Sequence, residues 1–341
     1  MQITFVVLLL IVLFAKSRPT GWNEYYMGKE TTSTINGLFI WLVFLSHFTQ
    51  YLPSSYGNIV SKTIGQLVVV MFLFYSGYGC SSQYLVKGEP YLQSFPKKRI
   101  LPTFVNFDIA VCVFVFVDFL LGKPLTVRQI LLSFVCWDSV GNSNWYIFVI
   151  MLCYALFWLS ACVLKKKSGG NPQRWQVIFM HLLAISVFAL SRVRPGYWCD
   201  TMMAFGAGAV YGLYRSRIEE FVKKNYLLCL MIAAVLFVSV KYIPIIGQRY
   251  WIAHNMKSIA FAAIVVMATM KISVDCAVLR WSGEHLFPLY IYQRIPMIVF
   301  STLFPVAFRD VRCWIYFAIS ACIAITLASL YPCFQFRGSK S

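Results

Sequence analysis

Apolar stretches near 20 residues long recur along this chain, separated only by short polar loops. Each is about as long as a helix must be to cross the hydrocarbon core of a bilayer. A chain built this way folds as a bundle in lipid, where every backbone polar group has to be satisfied within a helix. Eleven candidate spans follow, near residues 3–15, 35–52, 64–85, 102–121, 144–164, 176–191, 197–214, 226–246, 257–274, 285–306 and 313–333. The fold class expected is all-α, a polytopic transmembrane helix bundle of about 10–11 spans. A shorter apolar piece at 129–137 reads as re-entrant or interfacial. The layout divides into an N-terminal hydrophobic segment and cytoplasmic linker (1–30), a transmembrane domain (31–335) and a short cytoplasmic tail (336–341).

Composition agrees. Hydrophobic residues make up 60% of the chain, charged residues 12%, and the mean hydropathy is +0.69, more apolar surface than a soluble domain of 341 residues could hide. The net charge of +18 does not point to nucleic acid, because the basic residues fall between the apolar segments. Of the 30 Lys and Arg, nineteen lie on one side of the alternating layout and ten on the other, with Arg294 inside a span. The positive-inside rule then makes the C-terminus cytoplasmic in a multi-pass cell-membrane protein, with lipid headgroups as partners. The run at 3–15 has no basic segment before it and a poor cleavage site at Phe14-Ala15-Lys16, so it reads as an uncleaved helix rather than a signal peptide. Eleven cysteines without a C-x-x-C pair suggest neither a metal site nor redox chemistry, and those in apolar segments read as buried packing residues. No Walker A sequence is present, which argues against a primary pump.

Polar groups inside a span are costly and become candidates for function. His47 lies about 12 residues along its span, roughly 18 Å from the cytoplasmic end at the helical rise. A neutral imidazole there can take a proton from a hydroxyl, or it can be hydrogen-bonded between helices. Arg294, some nine residues into its span, needs an anionic partner: Asp108 or Glu284 as a structural pair, or an anionic ligand group. Lys97, Lys98 and Arg99 can hold phosphates at a cytoplasmic cavity mouth or serve only as topology determinants. Lys165–Lys167 reads as such a determinant. His181, His254 and His285 read as structural. Asn142, Asn144, Trp145 and Tyr146 lead into a span from outside, as an interfacial aromatic anchor or the rim of a sugar-binding cleft.

Several segments, in order over about residues 30–335, resemble the membrane-bound acyltransferase-3 family. Ile35–His47 resembles its first signature, an apolar helix that begins near a Gly-Leu pair and ends in His. Phe72-Leu73-Phe74-Tyr75-Ser76-Gly77-Tyr78 is similar to its second-helix element, and Lys98-Arg99-Ile100-Leu101-Pro102 to the basic motif that follows. Asn144-Trp145-Tyr146 resembles a helix start of the family, and Trp281 to Ile291 its penultimate helix. Two positions depart: Asn36 stands where the family often has Arg or Lys, and Tyr292-Gln293-Arg294-Ile295-Pro296 lacks the usual His.

The resemblance implies an O-acyltransferase that moves acetyl from cytoplasmic acetyl-CoA, or another acyl-CoA, to a hydroxyl of a polysaccharide or glycolipid acceptor. It implies His47 as the catalytic base or acyl carrier, Lys97, Lys98 and Arg99 as the acyl-CoA contacts, and Ser76 and Tyr78 along the passage. No cofactor is expected to stay bound. A transporter or flippase of lipid-linked saccharides is the alternative, and a polysaccharide polymerase a more distant one.

Overall fold

The computed structural model describes residues 2–53, 65–167, 174–242, 250–308 and 312–337. The molecule is a bundle of α-helices, as the hydropathy pattern predicts. The helices are α1 (Gln2–Ala15), α2 (Lys29–Thr49), α3 (Val70–Lys87), α4 (Glu89–Phe95), α5 (Leu101–Leu120), α6 (Val127–Phe134), α7 (Asn144–Lys167) and α8 (Arg174–Val193). They continue as α9 (Met203–Lys224), α10 (Tyr226–Ser239), α11 (Tyr250–Lys271), α12 (Ala277–Glu284), α13 (Leu286–Tyr292), α14 (Arg294–Leu303), α15 (Pro305–Phe308) and α16 (Cys313–Phe334). Two three-residue strands, β1 (Ser17–Pro19) and β2 (Ile272–Val274), pair antiparallel with Ser17 opposite Val274. Beside this ribbon Tyr26 is fully buried, bonded to the Tyr211 hydroxyl and to Glu219 Oε1 (2.5 Å). Burial first, and then the Glu219 bond, hold its phenol well above the usual value, so it stays a donor.

Five of these helices are long and apolar enough to cross a bilayer among the described residues, and the pair α9–α10, bent by 101°, makes a sixth span if counted together. The expected spans at 35–52, 64–85 and 285–306 form helices but are too polar, short or broken for that description. The reason is their position. Thirteen of the 21 residues of α2 are buried, so protein rather than lipid surrounds most of it and polar side chains are tolerated there. The site is built from these inner helices.

Prolines explain where the inner elements break. A proline removes the bond to the carbonyl four residues back and crowds it. Pro288 and Pro296 do this at Glu284 and Tyr292: α12 ends at Glu284, just before the expected single span 285–306, and that span is itself divided after Tyr292. Pro96 frees the Leu92 carbonyl, which accepts a bond from the Trp158 indole at 3.0 Å. Between Pro96 and Pro102 the chain widens into a π turn, with the Leu101 N–H bonded to the Pro96 carbonyl. Lys97, Lys98 and Arg99 therefore lie inside a continuous helical run, Glu89–Leu120, and not in a loop before a helix.

Glycines allow the closest helix contacts. A Cβ on Gly37 of α2 would lie 1.7 Å from the Leu279 carbonyl oxygen of α12, and one on Gly283 would lie 1.8 Å from the Ser33 oxygen. Gly77 of α3 and Gly208 of α9 meet the opposite backbone in the same reciprocal way. At the far end, α6 has Val127 and Leu131 exposed while Ser133 is buried, the amphipathic pattern of an interfacial helix at the expected 129–137 piece.

Other expectations need correction. Cys112 and Cys322 lie exposed on their helices rather than buried, and all eleven cysteines are free. A thiol is apolar enough for a lipid-facing position. His254, which the span layout leaves in the loop before 257–274, belongs to α11, and its Nδ1 is 4.0 Å from Asp200 Oδ2. The side chains of Lys165–Lys167 and the tail residues 338–341 lie outside the described residues.

Candidate active site

α2 carries His47 near its end, where the next helices converge. The side chain is buried, and its Nε2 lies 3.4 Å from Ser143 Oγ, just before α7. On the other side of that hydroxyl, Arg294 Nη1 is 3.5 Å away, while Arg294 Nε donates to the Tyr51 hydroxyl at 3.2 Å. Arg294 thus feeds a hydrogen-bond chain: guanidinium to serine hydroxyl to imidazole. In the tautomer that lets Nε2 accept, the proton sits on Nδ1, and Nδ1 is buried with no partner. A buried unpaired donor is costly, and it marks this imidazole as one the fold does not fully satisfy. The His47 pocket, about 120 Å³, is walled by Ser46, Gln50, Gln66, Trp145 and Tyr290 among others.

Ser143 is fixed by its loop. Asn144 Nδ2 donates to the Cys136 carbonyl at 2.9 Å, and Ser139 Oγ donates to the Asn142 carbonyl at 2.6 Å. Gly141 takes φ +89°, where any Cβ would also meet Ile298 Cδ1 at 2.8 Å. The structural pairing weighed for Arg294 does not occur: Glu284 pairs with Lys29 at 3.9 Å, and Asp108 Oδ1 has no hydrogen-bond partner.

A second and larger cavity, about 640 Å³, opens at the other end of the bundle. Lys98, Arg99, His285 and Arg337 line its mouth region, and Ser76, Tyr146, Tyr154 and Tyr290 its walls. Asn106 closes one side, donating to the Phe336 carbonyl at 2.9 Å and accepting from the Phe336 N–H at 2.8 Å. Tyr290 is common to this cavity and the His47 pocket. Its ring packs against Tyr146 at 5.0 Å and edge-on to His47 at 6.1 Å. One aromatic side chain therefore stands between the basic cavity and the imidazole. A third cavity, about 1050 Å³, shares Lys98 and Arg99 and adds Lys29, Lys87, Tyr75 and Tyr78.

The predicted residues separate accordingly. Lys98 and Arg99 line both basic cavities, and Lys97 lines neither. Ser76 faces the 640 Å³ cavity, while Tyr78 faces the other and accepts from Arg215 Nη1 at 2.9 Å. Trp145 lines the His47 pocket and Tyr146 the cavity across Tyr290; Asn144 only holds the loop. His285, read as structural, donates from Nδ1 to the Trp281 carbonyl (2.9 Å) and also lines the cavity. His181 binds the Val177 carbonyl of its own helix at 2.7 Å. Ser143, Tyr51 and Tyr290 are absent from the predicted set. A tyrosine four residues before an arginine within a span shares its helical face, the one signal that could have marked Tyr290.

The family model described as an acyltransferase domain, acyltransferase-3, matches residues 35–331. No curated protein and no solved structure matches the chain significantly.

Proposed function

The chain belongs to the acyltransferase-3 family, and from that premise we propose that it moves an acyl group, acetyl foremost, from acyl-CoA to a hydroxyl of a surface polysaccharide or lipid-linked sugar. The observation that carries this reading is the pair of spaces on either side of Tyr290, one basic and one holding His47. In this reading the protein sits in the cell membrane with its C-terminus and the Lys98–Arg99 cavity towards the cytoplasm.

The acyl-CoA phosphates meet Lys98 and Arg99, and the thioester extends towards Tyr290. The acceptor hydroxyl enters the His47 pocket, and displacement of the Tyr290 ring lets the two meet. His47 takes the proton at Nε2 by way of Ser143, whose hydroxyl gives its proton to the imidazole as it accepts the one from the acceptor. The acceptor oxygen attacks the thioester carbon, the C–S bond breaks, and the proton passes to the CoA thiolate. A route in which the imidazole is itself acylated first uses the same residues and releases the same products. Arg294, through Ser143, holds the imidazole in orientation.

The test is purified protein in nanodiscs with labelled acetyl-CoA and an oligosaccharide acceptor. Thiol release matched by ester formation supports the reading. Acceptor movement across the bilayer without thiol release would support a flippase instead. Replacing both Lys98 and Arg99 with Gln is expected to raise the KM for acetyl-CoA by at least about tenfold with a smaller change in kcat, since charge-assisted phosphate contacts contribute about 1.5–3 kcal/mol each before solvent screening. An unchanged KM would remove these residues from the acyl-CoA site.

A further inference from the structure

A cavity of about 400 Å³ opens at the His47 end of the bundle, between α6 and the end of α8. Arg128, Gln129, Trp137, Asp138 and Arg194 line it. Arg194 stacks over Trp137, 3.8 Å from the ring centroid, and its Nη2 donates to the Trp137 carbonyl at 2.6 Å. Its Nε is buried and has no hydrogen-bond partner. Among the described residues neither arginine has a carboxylate within ion-pair distance. Asp138 lines the same cavity with its Oδ1 accepting from the Ser139 N–H at 2.8 Å, so the two arginines outnumber the one carboxylate. Two guanidinium groups against one carboxylate, one of them with a buried Nε left unpartnered, give the cavity a net positive charge that suits an anionic group.

Two further observations say what carries that anion. Val127 and Leu131 of α6, 73% and 63% exposed, turn towards lipid and place the cavity at headgroup level. From Trp137, aromatic rings lead to the His47 pocket. Trp137 meets Trp198 at 5.8 Å; its neighbour Tyr197, 40% exposed, meets Trp145 at 5.9 Å; and Trp145 lines the pocket itself. Amphipathic rings with polar tips, flanked by Gln129 and arginines, suit the apolar faces and hydroxyls of sugars.

We infer that this cavity binds an acidic sugar residue of the acceptor, carboxylate- or phosphate-bearing, and that the Trp137–Tyr197–Trp145 track guides the adjoining sugar to His47. The inference rests on the acyl-transfer reading and names its acceptor class. An anionic lipid headgroup has the right charge but makes no use of the track.

The experiment uses the full chain in neutral-lipid nanodiscs, with three probes: a uronate-containing tetrasaccharide, a neutral N-acetylglucosamine tetrasaccharide and a sugar 1-phosphate. Calorimetric binding and transfer from labelled acetyl-CoA are both read. The acidic probes should bind at least about tenfold tighter than the neutral one. Arg128→Gln, at an exposed position that leaves the Trp137 contacts intact, should remove about tenfold of that affinity without changing the KM for acetyl-CoA. Tyr197→Ala should weaken binding of all tetrasaccharides, and the Arg194→Gln loss should exceed that of Arg128→Gln. Whether the uronate or the sugar phosphate is preferred identifies the anionic group. Acidic binding that responds to Arg128→Gln without any acyl transfer would keep the site and overturn the acyl-transfer reading. Equal transfer to acidic and neutral probes, unaffected by Arg128→Gln, would overturn the site and keep the reading. Phosphatidylglycerol nanodiscs that abolish saccharide binding would make the occupant a lipid headgroup and also overturn it.

Discussion

His47→Ala is expected to lower acyl transfer by about two to four powers of ten, the range of a lost general base, and to leave acyl-CoA affinity within about twofold. The second half follows from geometry. His47 lies in its own pocket and does not line the basic cavities, so removing it leaves Lys98, Arg99 and the Tyr290–Tyr146 pair in place. The substitution also removes a buried Nδ1 without a partner, so the fold loses packing volume but no satisfied bond from that nitrogen. Turnover under saturating acyl-CoA and acceptor, together with calorimetric titration of CoA, measures both effects. Arg294→Gln, which shortens the chain to Ser143 and Tyr51, should show a smaller loss in turnover. If His47→Ala retained a tenth of the activity or more, the imidazole would not be the base.

The second large effect concerns the fold. Gly37→Val is expected to reduce the yield of monodisperse folded protein more than tenfold. Its Cβ would stand 1.7 Å from the Leu279 carbonyl oxygen, and that oxygen is backbone. An overpacked side chain costs about 1–3 kcal/mol because rotamers can yield. Here α2 and α12 must move apart, and with them His47 and the Tyr290 wall that α13 continues. Gly21→Ala is the control, since a Cβ there meets nothing within 4 Å. Size-exclusion profiles and thermal melts in detergent compare the two; equal yields would mean that the close α2–α12 contact does not hold the bundle.

What could be read beforehand depended on how locally each feature is encoded. Helices appeared wherever apolar runs were long, because hydropathy is a property of adjacent residues. His47 and Arg294 stood out because a titratable or charged group in such a run is expensive. Ser143 could not be singled out: a serine in a polar loop is ordinary until the fold sets its hydroxyl between two helices. Tyr290 was lost among the aromatic residues of the chain, since only the tertiary arrangement makes one ring the wall between two cavities. The basic trio looked like a loop because charge ends an apolar run, whereas Pro96 and Pro102 instead open a π turn within one helix. The inner helices were read as ordinary spans because sequence does not say which helix others surround.

The central claim is that an acyl group enters from the Lys98–Arg99 side and is received on the His47 side of Tyr290. Sided proteoliposomes test it most directly, with the protein inserted in one orientation and labelled acetyl-CoA and acceptor supplied on chosen sides. Labelled ester should form when acetyl-CoA is on the face bearing Lys98 and Arg99 and the acceptor on the opposite face, and should vanish when the two are exchanged. Equal product in both arrangements, or product only when both substrates share one face, would contradict the account.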